Sequence, residues 1–165
     1  GSLFKGGRYV FEIVRRLSLA VPGPLGFYLS GDIPAGLRAE LKHVPANARL
    51  FMPGRLEHES NVGYVKSCSF GVSPTIIESF GMALLEAGFC GVPMAAFDVG
   101  GTSEVVRDGE NGLLAPLLDL ERLLLNATRL LERSFCRELA VRTRPSVEAR
   151  FNSAEHAARK PGGEP

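Results

Sequence analysis

An open parallel β-sheet wrapped by helices on both faces is the fold the sequence predicts. Three observations carry that reading. Short apolar runs alternate with helical patterns from Lys5 to Ala115, the signature of strand–helix–strand units. Val92 to Phe97 is continuously apolar, as a parallel strand covered on both faces must be. Clusters of glycine, proline and asparagine separate the runs, including Pro53-Gly54, Gly100-Gly101 and Asp108-Gly109-Glu110-Asn111-Gly112.

The elements follow in order. Lys5 to Ala20 reads as an amphipathic helix with Val10, Phe11, Val14 and Leu17 on its apolar stripe, closed by Val21-Pro22-Gly23-Pro24. Leu25 to Leu29 is a short strand. Pro34 to His43 is a helix with proline in its first turn, where the missing N–H is harmless. Arg49 to Met52 is a strand, Glu57 to Lys66 a helix despite Gly63, and Ser69 to Ser73 a strand. Phe80 to Phe89 reads as a buried helix, because it is apolar on nearly every side. After the strand Val92 to Phe97, which Pro93 opens, Thr102 is placed to cap a short helix, Ser103 to Arg107. Gly112 to Ala115 is the last strand. A helical carboxyl-terminal segment follows, with helices at Leu118 to Leu131, at Phe135 to Val141 ending before Pro145, and at Asn152 to Arg159. Residues 1–160 form one domain on this reading, and Pro161 to Pro165 a disordered tail.

Composition narrows the classes. The 165 residues, 45% hydrophobic and 22% charged, suit one soluble domain with a sizeable core. A net charge of +1 gives no general attraction for nucleic acid or an anionic membrane. No apolar run approaches the roughly 20 residues that span a bilayer, and no leader peptide is read at the amino terminus. Three unpaired-looking cysteines, Cys68, Cys90 and Cys136, fit a reducing compartment and plain buried or half-buried thiols.

The most informative residues are Glu78 and Glu86. Glu86 is the only charged residue between Ser79 and Phe97. A carboxylate in a buried helix is costly unless hydrogen-bonded, and two adjacent hydroxyls of a polyhydroxylated ligand can satisfy it. Pairing with a distant arginine or lysine is the alternative. Glu78 stands just before the same helix, where the free N–H groups of the first turn attract anions. Ligands of open parallel sheets bind beyond the carboxyl ends of the strands. The turns at Gly54-Arg55, Ser73 to Gly81 and Asp98 to Thr102 all fall there, and should converge on one edge.

The run Ser73-Pro74-Thr75-Ile76-Ile77-Glu78-Ser79-Phe80-Gly81, followed by Leu85-Glu86-Ala87, Cys90-Gly91-Val92-Pro93, Asp98-Val99-Gly100-Gly101, Glu104-Val105-Val106 and Asp108 to Leu114, closely resembles the carboxyl-terminal domain of GT-B glycosyltransferases of family 4, the glycosyl transferases group 1. Weaker matches at Lys5-Gly6, Leu29 to Asp32, Phe51 to Leu56 and Phe151 to Glu155 extend it over nearly the whole chain. The resemblance implies a Rossmann-like half of a GT-B fold. It implies transfer of a sugar from a nucleotide diphosphate donor (a UDP-, GDP- or ADP-sugar) with retention, no cofactor and no required metal. It implies that Glu86 binds the ribose hydroxyls, while Glu78 contacts the transferred sugar and stabilises developing positive charge. Ser79, Phe80, Gly81 and Met82 then present the donor loop, with backbone N–H groups of Phe80, Gly81 and Met82 on the sugar or diphosphate. Gly54 and Leu56 meet the base through backbone, Leu85 packs under the ribose or in the core, and Lys5 neutralises the leaving diphosphate. His58 reads as an exposed loop histidine near the base. Gly100 and Gly101 form a tight turn with either a structural or a phosphate-facing role.

The family's arginine ahead of Lys5, and the central strand before it, find no match in the sequence. The expectation is therefore a donor half without its amino-terminal acceptor domain, inactive or nearly so alone, from an enzyme working in the cytoplasm or at the inner membrane face on polysaccharide or glycolipid acceptors. The other reading is a non-catalytic nucleotide-binding or assembly module that kept the fold. A dinucleotide-binding domain is disfavoured, since no Gly-x-Gly-x-x-Gly opens the first helix.

Overall fold

The computed structural model describes residues 6–151. The chain forms α1 (Gly7–Leu19), β1 (Leu25–Ser30), α2 (Ala35–Glu40) continuing into a 3-10 turn (Leu41–His43), β2 (Ala48–Gly54), α3 (His58–Ser67), β3 (Gly71–Ser73), α4 (Met82–Phe89), β4 (Met94–Asp98), α5 (Thr102–Val105), β5 (Gly112–Pro116), α6 (Leu120–Leu130) and α7 (Arg133–Phe151). The expected α/β class and parallel pairing are present, as every paired strand runs parallel to its neighbour.

Among the described residues the strands form two sheets rather than one: β1-β2, and β3-β4-β5. No described strand joins β1 to β3, so the expected continuous ladder is interrupted there. Helix α1 and shared side chains bridge the break. The helix begins at Gly6, which packs on Pro74 just beyond the carboxyl end of β3. It ends near the start of β2, where the Asn47 amide nitrogen lies 2.8, 3.2 and 3.0 Å from the carbonyl oxygens of Ser18, Val21 and Gly23. Leu25 and Phe27 of β1 and Val72 of β3 pack on one core with Ile13 and Leu17 of α1.

Strand β4 is the central strand of the three-stranded sheet. Its Ala95 and Phe97 face a core of Leu123, Leu124, Ala127 and Leu130 from α6 and Leu139 from α7. Ala96 points the other way, to Leu84, Val105 and Val106. Burial of successive residues on opposite faces is what the continuous apolar run requires, because strand side chains alternate.

Several boundaries differ from the sequence reading. Helix α6 starts at Leu120 because the Asp119 carboxylate accepts from the Arg122 N–H and caps it. Thr102 does not cap α5: it is that helix's first residue, buried, with Gly101 at the cap position and no side-chain cap bond. The largest difference is α7, which runs unbroken through Pro145 to Phe151 instead of ending before the proline. Proline inside a helix costs about 3 kcal/mol or more. Here the buried stripe Cys136, Leu139, Thr143 and Val147 continues on both sides of it, while Val141, four residues earlier, is 76% exposed, so the carbonyl left without its donor belongs to a solvent-facing turn. Tertiary burial outweighs the local penalty. The proposed helix Asn152 to Arg159, the tail Pro161 to Pro165 and Lys5 lie outside the described residues.

All three cysteines are free, Cys136 buried and the other two half-buried, and burial raises each thiol above its ordinary pKa. No described helix is long and apolar enough to cross a membrane.

Candidate functional site

Parallel pairing places the ends of β1 to β5 on common edges within each sheet, and the predicted site residues follow those ends. Strand β2 ends at Gly54, with φ 82°, and Arg55 and Leu56 follow. After β1 comes Asp32, whose carboxylate lies 3.6 Å from the exposed Arg55 guanidinium, linking the two turns. After β3 the chain runs through Pro74 and Thr75, both buried, to Glu78, Ser79 and Phe80. Gly81, buried with φ 89°, is the cap residue of α4, and no side chain among the described residues caps that helix. Its first-turn N–H groups, Met82 among them, are therefore available to an anion.

After β4 comes the Gly100-Gly101 turn, which packs directly on this loop. A Cβ on Gly100 would lie 1.7 Å from the Glu78 carbonyl oxygen, and φ there is +53°. A Cβ on Gly101 would lie 2.7 Å from the Ser79 carbonyl oxygen and 2.8 Å from the Phe80 Cα. Only glycine permits this backbone-on-backbone approach. The turn has a structural role in setting the loop that carries Glu78.

Helix α4 is not buried on every side, as its composition suggested. Leu84, Ala87 and Gly88 are buried, but Met82 is 56% and Phe89 37% exposed. Glu86 lies between these faces with 36% of its side chain exposed, so its carboxylate keeps contact with solvent. Its charge is accordingly less costly than in a fully buried helix. His58 Nδ1 lies 3.8 Å from its carboxylate, beyond hydrogen-bonding distance. His58 is not on a loop: it is the first residue of α3, 71% exposed. The approach of this histidine from α3 to Glu86 is not visible in the sequence. Leu85 is half-buried against the cluster formed by Leu84, Ala96, Val105 and Val106.

A second contribution was missed altogether. The ring of Phe80 meets that of Phe151, at the end of α7, edge to face with centroids 5.8 Å apart and planes at 86°. Arg150 beside it donates to the carbonyl oxygens of Glu104 and Val105 at the end of α5. Its guanidinium also donates to the Ser146 carbonyl and hydroxyl oxygens, and Ser146 in turn donates to Glu110 at 2.5 Å. Burial lowers the Arg150 pKa, with Arg107 adding to the effect and Glu110 opposing it. No sequence signal links residues 80 and 151, since the contact depends on α7 continuing past Pro145. Among the described residues, no group of three His, Cys, Asp or Glu side chains is arranged to hold a metal ion.

With this arrangement in view, comparison with known proteins identifies the family. Residues 1–133 match the model for glycosyl transferases group 1, and the chain belongs to that family. It is 36% identical over 139 residues to a D-inositol 3-phosphate glycosyltransferase of Acidothermus cellulolyticus, an alignment covering 84% of this chain and 29% of the relative. It is 26% identical over 150 residues to a 2-deoxystreptamine N-acetyl-D-glucosaminyltransferase of Niallia circulans, covering 89% of this chain and 38% of the relative. Among solved structures, sucrose-phosphate synthase of Thermosynechococcus elongatus superposes with a TM-score of 0.75 at 27% identity, covering 95% of this chain and 41% of that one. HepE of Anabaena in complex with UDP-glucose superposes with a TM-score of 0.73 at 21% identity, covering 96% and 46%, a likeness of fold. The chain thus spans less than half the length of these relatives.

Proposed function

We propose that this chain is the carboxyl-terminal, donor-binding half of a retaining GT-B glycosyltransferase of family 4, binding a nucleotide diphosphate sugar. The carrying observation is that Glu78 and the half-exposed Glu86 flank the uncapped start of α4, at the carboxyl edge of a parallel sheet. Glu86 takes the ribose diol as acceptor of two hydroxyl donors. The N–H groups around Phe80, Gly81 and Met82 and the positive end of α4 receive the diphosphate and sugar oxygens, with Ser79 part of the same loop. Glu78 lies against the sugar and stabilises the positive charge that develops as the glycosidic bond breaks. Gly54 and Leu56 offer backbone to the base, and Leu85 packs beneath the ribose. Lys5 meets the leaving diphosphate; its neighbour Gly6 packs on Pro74 at the start of the donor loop, which supports that assignment. No metal has a part in this reading.

The coverage of less than half of each relative supports a separate acceptor-binding part that this chain does not contain. The complexes of HepE with UDP-glucose and of the pneumococcal O-GlcNAc transferase GtfA with UDP and GlcNAc support a UDP-sugar as the first donor to test. Calorimetric titration of the 165-residue chain with UDP-, GDP- and ADP-sugars should show binding to one of them. Glu86→Ala should weaken it by about tenfold or more, the loss expected when charged hydrogen bonds are removed. A folded chain that binds none of the three refutes the donor site, and unchanged binding in Glu86→Ala refutes the ribose role.

A further inference from the structure

The last turn of α7 touches the donor loop through Phe151 and the end of α5 through Arg150. Phe151 sets its ring edge against Phe80, inside the Glu78 to Gly81 segment, and also packs on Leu84, Ala96, Val105 and Val106. Arg150 donates to the Glu104 and Val105 carbonyl oxygens at the end of α5, the Val105 oxygen being shared with the Asn111 amide. Helix α5 begins at Thr102, immediately after the Gly100-Gly101 turn, and that turn supports the backbone of Glu78, Ser79 and Phe80. Arg150 thus holds the support from below while Phe151 holds the loop from the side. The guanidinium is itself fixed by Ser146 and, through it, by Glu110, whose carboxylate lies 3.7 Å from Arg107. A partly buried arginine with several acceptors is held in one orientation, because its planar fork loses little further freedom on bonding.

We propose that Arg150 and Phe151 are positioning residues for the donor loop: the end of α7 is a strap that sets Glu78 and Phe80 against the transferred sugar. The inference rests on the donor-site reading and adds a division of labour within it. Glu86 sits on α4, whose own helical hydrogen bonds fix its backbone and whose Leu84 packs on Ala96, Val105 and Val106 as well as on Phe151, and it serves the nucleoside. The Glu78 to Phe80 segment has no regular secondary structure of its own and depends on the strap. Loss of the strap should therefore harm recognition of the sugar more than recognition of the nucleotide. Small displacements suffice, since an error of about 1 Å in a positioned group can cost about a hundredfold in rate.

The test uses the 165-residue chain, with UDP-glucose, GDP-mannose and ADP-glucose and the matching diphosphates UDP, GDP and ADP as probes. Phe151→Leu removes the aromatic edge but keeps an apolar side chain, and Arg150→Lys keeps the charge but removes the fork. The expected result is that Phe151→Leu weakens the sugar nucleotide about tenfold while the bare diphosphate changes less than about twofold. Arg150→Lys should shift the same ratio about threefold, and Phe151→Tyr should restore it. Circular dichroism melting confirms that each variant is folded. Equal weakening of both ligands, or no change in either, overturns the strap. Glu86→Gln separates the two readings. If it weakens both ligands while the α7 variants leave the ratio untouched, the strap alone fails. If it weakens neither, the ribose role fails and the division of labour with it; if the unaltered chain binds no probe, the donor site fails and the strap with it.

Discussion

The two sheets of this domain are built from different material. In the β3-β4-β5 half, Ala95, Ala96 and Phe97 are at most 1% exposed, and Leu123, Leu130 and Leu139 are buried beneath or beside them. In the β1-β2 half no strand residue is fully buried, and neither is any residue of α2 or α3. There Tyr28, Phe51 and Tyr64 stack on one another, with ring centroids 4.8 to 6.0 Å apart, yet Phe51 remains 44% exposed. Glu78 and Glu86 belong to the dense half, and Gly54 and Leu56 to the sparse one. Groups proposed to face the reacting sugar and the ribose thus stand on packed elements, while those proposed to face the base stand on a lightly packed ribbon. Precision in a binding site comes from packed support, so the comparison assigns the demanding geometry to the dense half.

Five substitutions, the first two read as a pair, can break or sharpen this contrast. Phe97→Ala, emptying the centre of the dense half, should cost about 3–5 kcal/mol, whereas Phe51→Ala in the sparse half should cost about 1 kcal/mol; urea unfolding monitored by circular dichroism measures both. Equal costs would show that the halves are equally packed. Gly100→Ala comes next. Its Cβ collides with the Glu78 carbonyl at a positive φ, so it should lose about 2–4 kcal/mol and weaken sugar-nucleotide binding beyond what the same destabilisation does elsewhere.

Ser18→Ala should work in the opposite direction. Ser18 is 1% exposed, and its hydroxyl has no hydrogen-bond partner among the described residues. Removing that oxygen should raise stability by up to about 1 kcal/mol, read as a higher urea midpoint. The smallest effect concerns pH. Glu110 has a lowered pKa, chiefly through its bond from Ser146, with Arg107 and Arg150 helping. A carboxylate depressed on folding contributes stability that is fully present above its unfolded value, near 4.5, and lost as the pH falls through the lower folded value. Glu110→Gln should therefore flatten the acid limb of a stability–pH profile slightly. The effect is small because the group is largely exposed and screened.

Much of this was legible in the sequence because it is local. Val92 to Phe97 announced a doubly covered strand by its unbroken apolar run, and β4 is that strand. The amphipathic period of α1 placed Val14 and Leu17 inward, and both are buried. The motif from Ser73 to Glu86 located the candidate site at a strand end. Other features depended on contacts distant in sequence. Pro145 is a sound stop signal locally, yet the buried stripe through Thr143 and Val147 carries α7 past it. Glu86 was expected deep inside a buried helix, but α4 keeps one side open, and His58 approaches from α3. Gly100-Gly101 allowed two readings until the Glu78 carbonyl was found against it.

The sequence by itself determined where most strands and helices lie, that the strands are parallel, and that one glutamate stands just before α4 and another within it. Period, turn residues and a charge alone among apolar neighbours are properties of adjacent residues, and local sterics and hydrophobicity decide them. The tertiary structure alone decided how those pieces meet: the interruption between the two sheets, the exposure of Glu86, and the seating of Phe151 on Phe80 across seventy-one residues of chain. Those outcomes depend on which surfaces compete successfully for burial, a competition settled by packing in the whole molecule and not by any single segment.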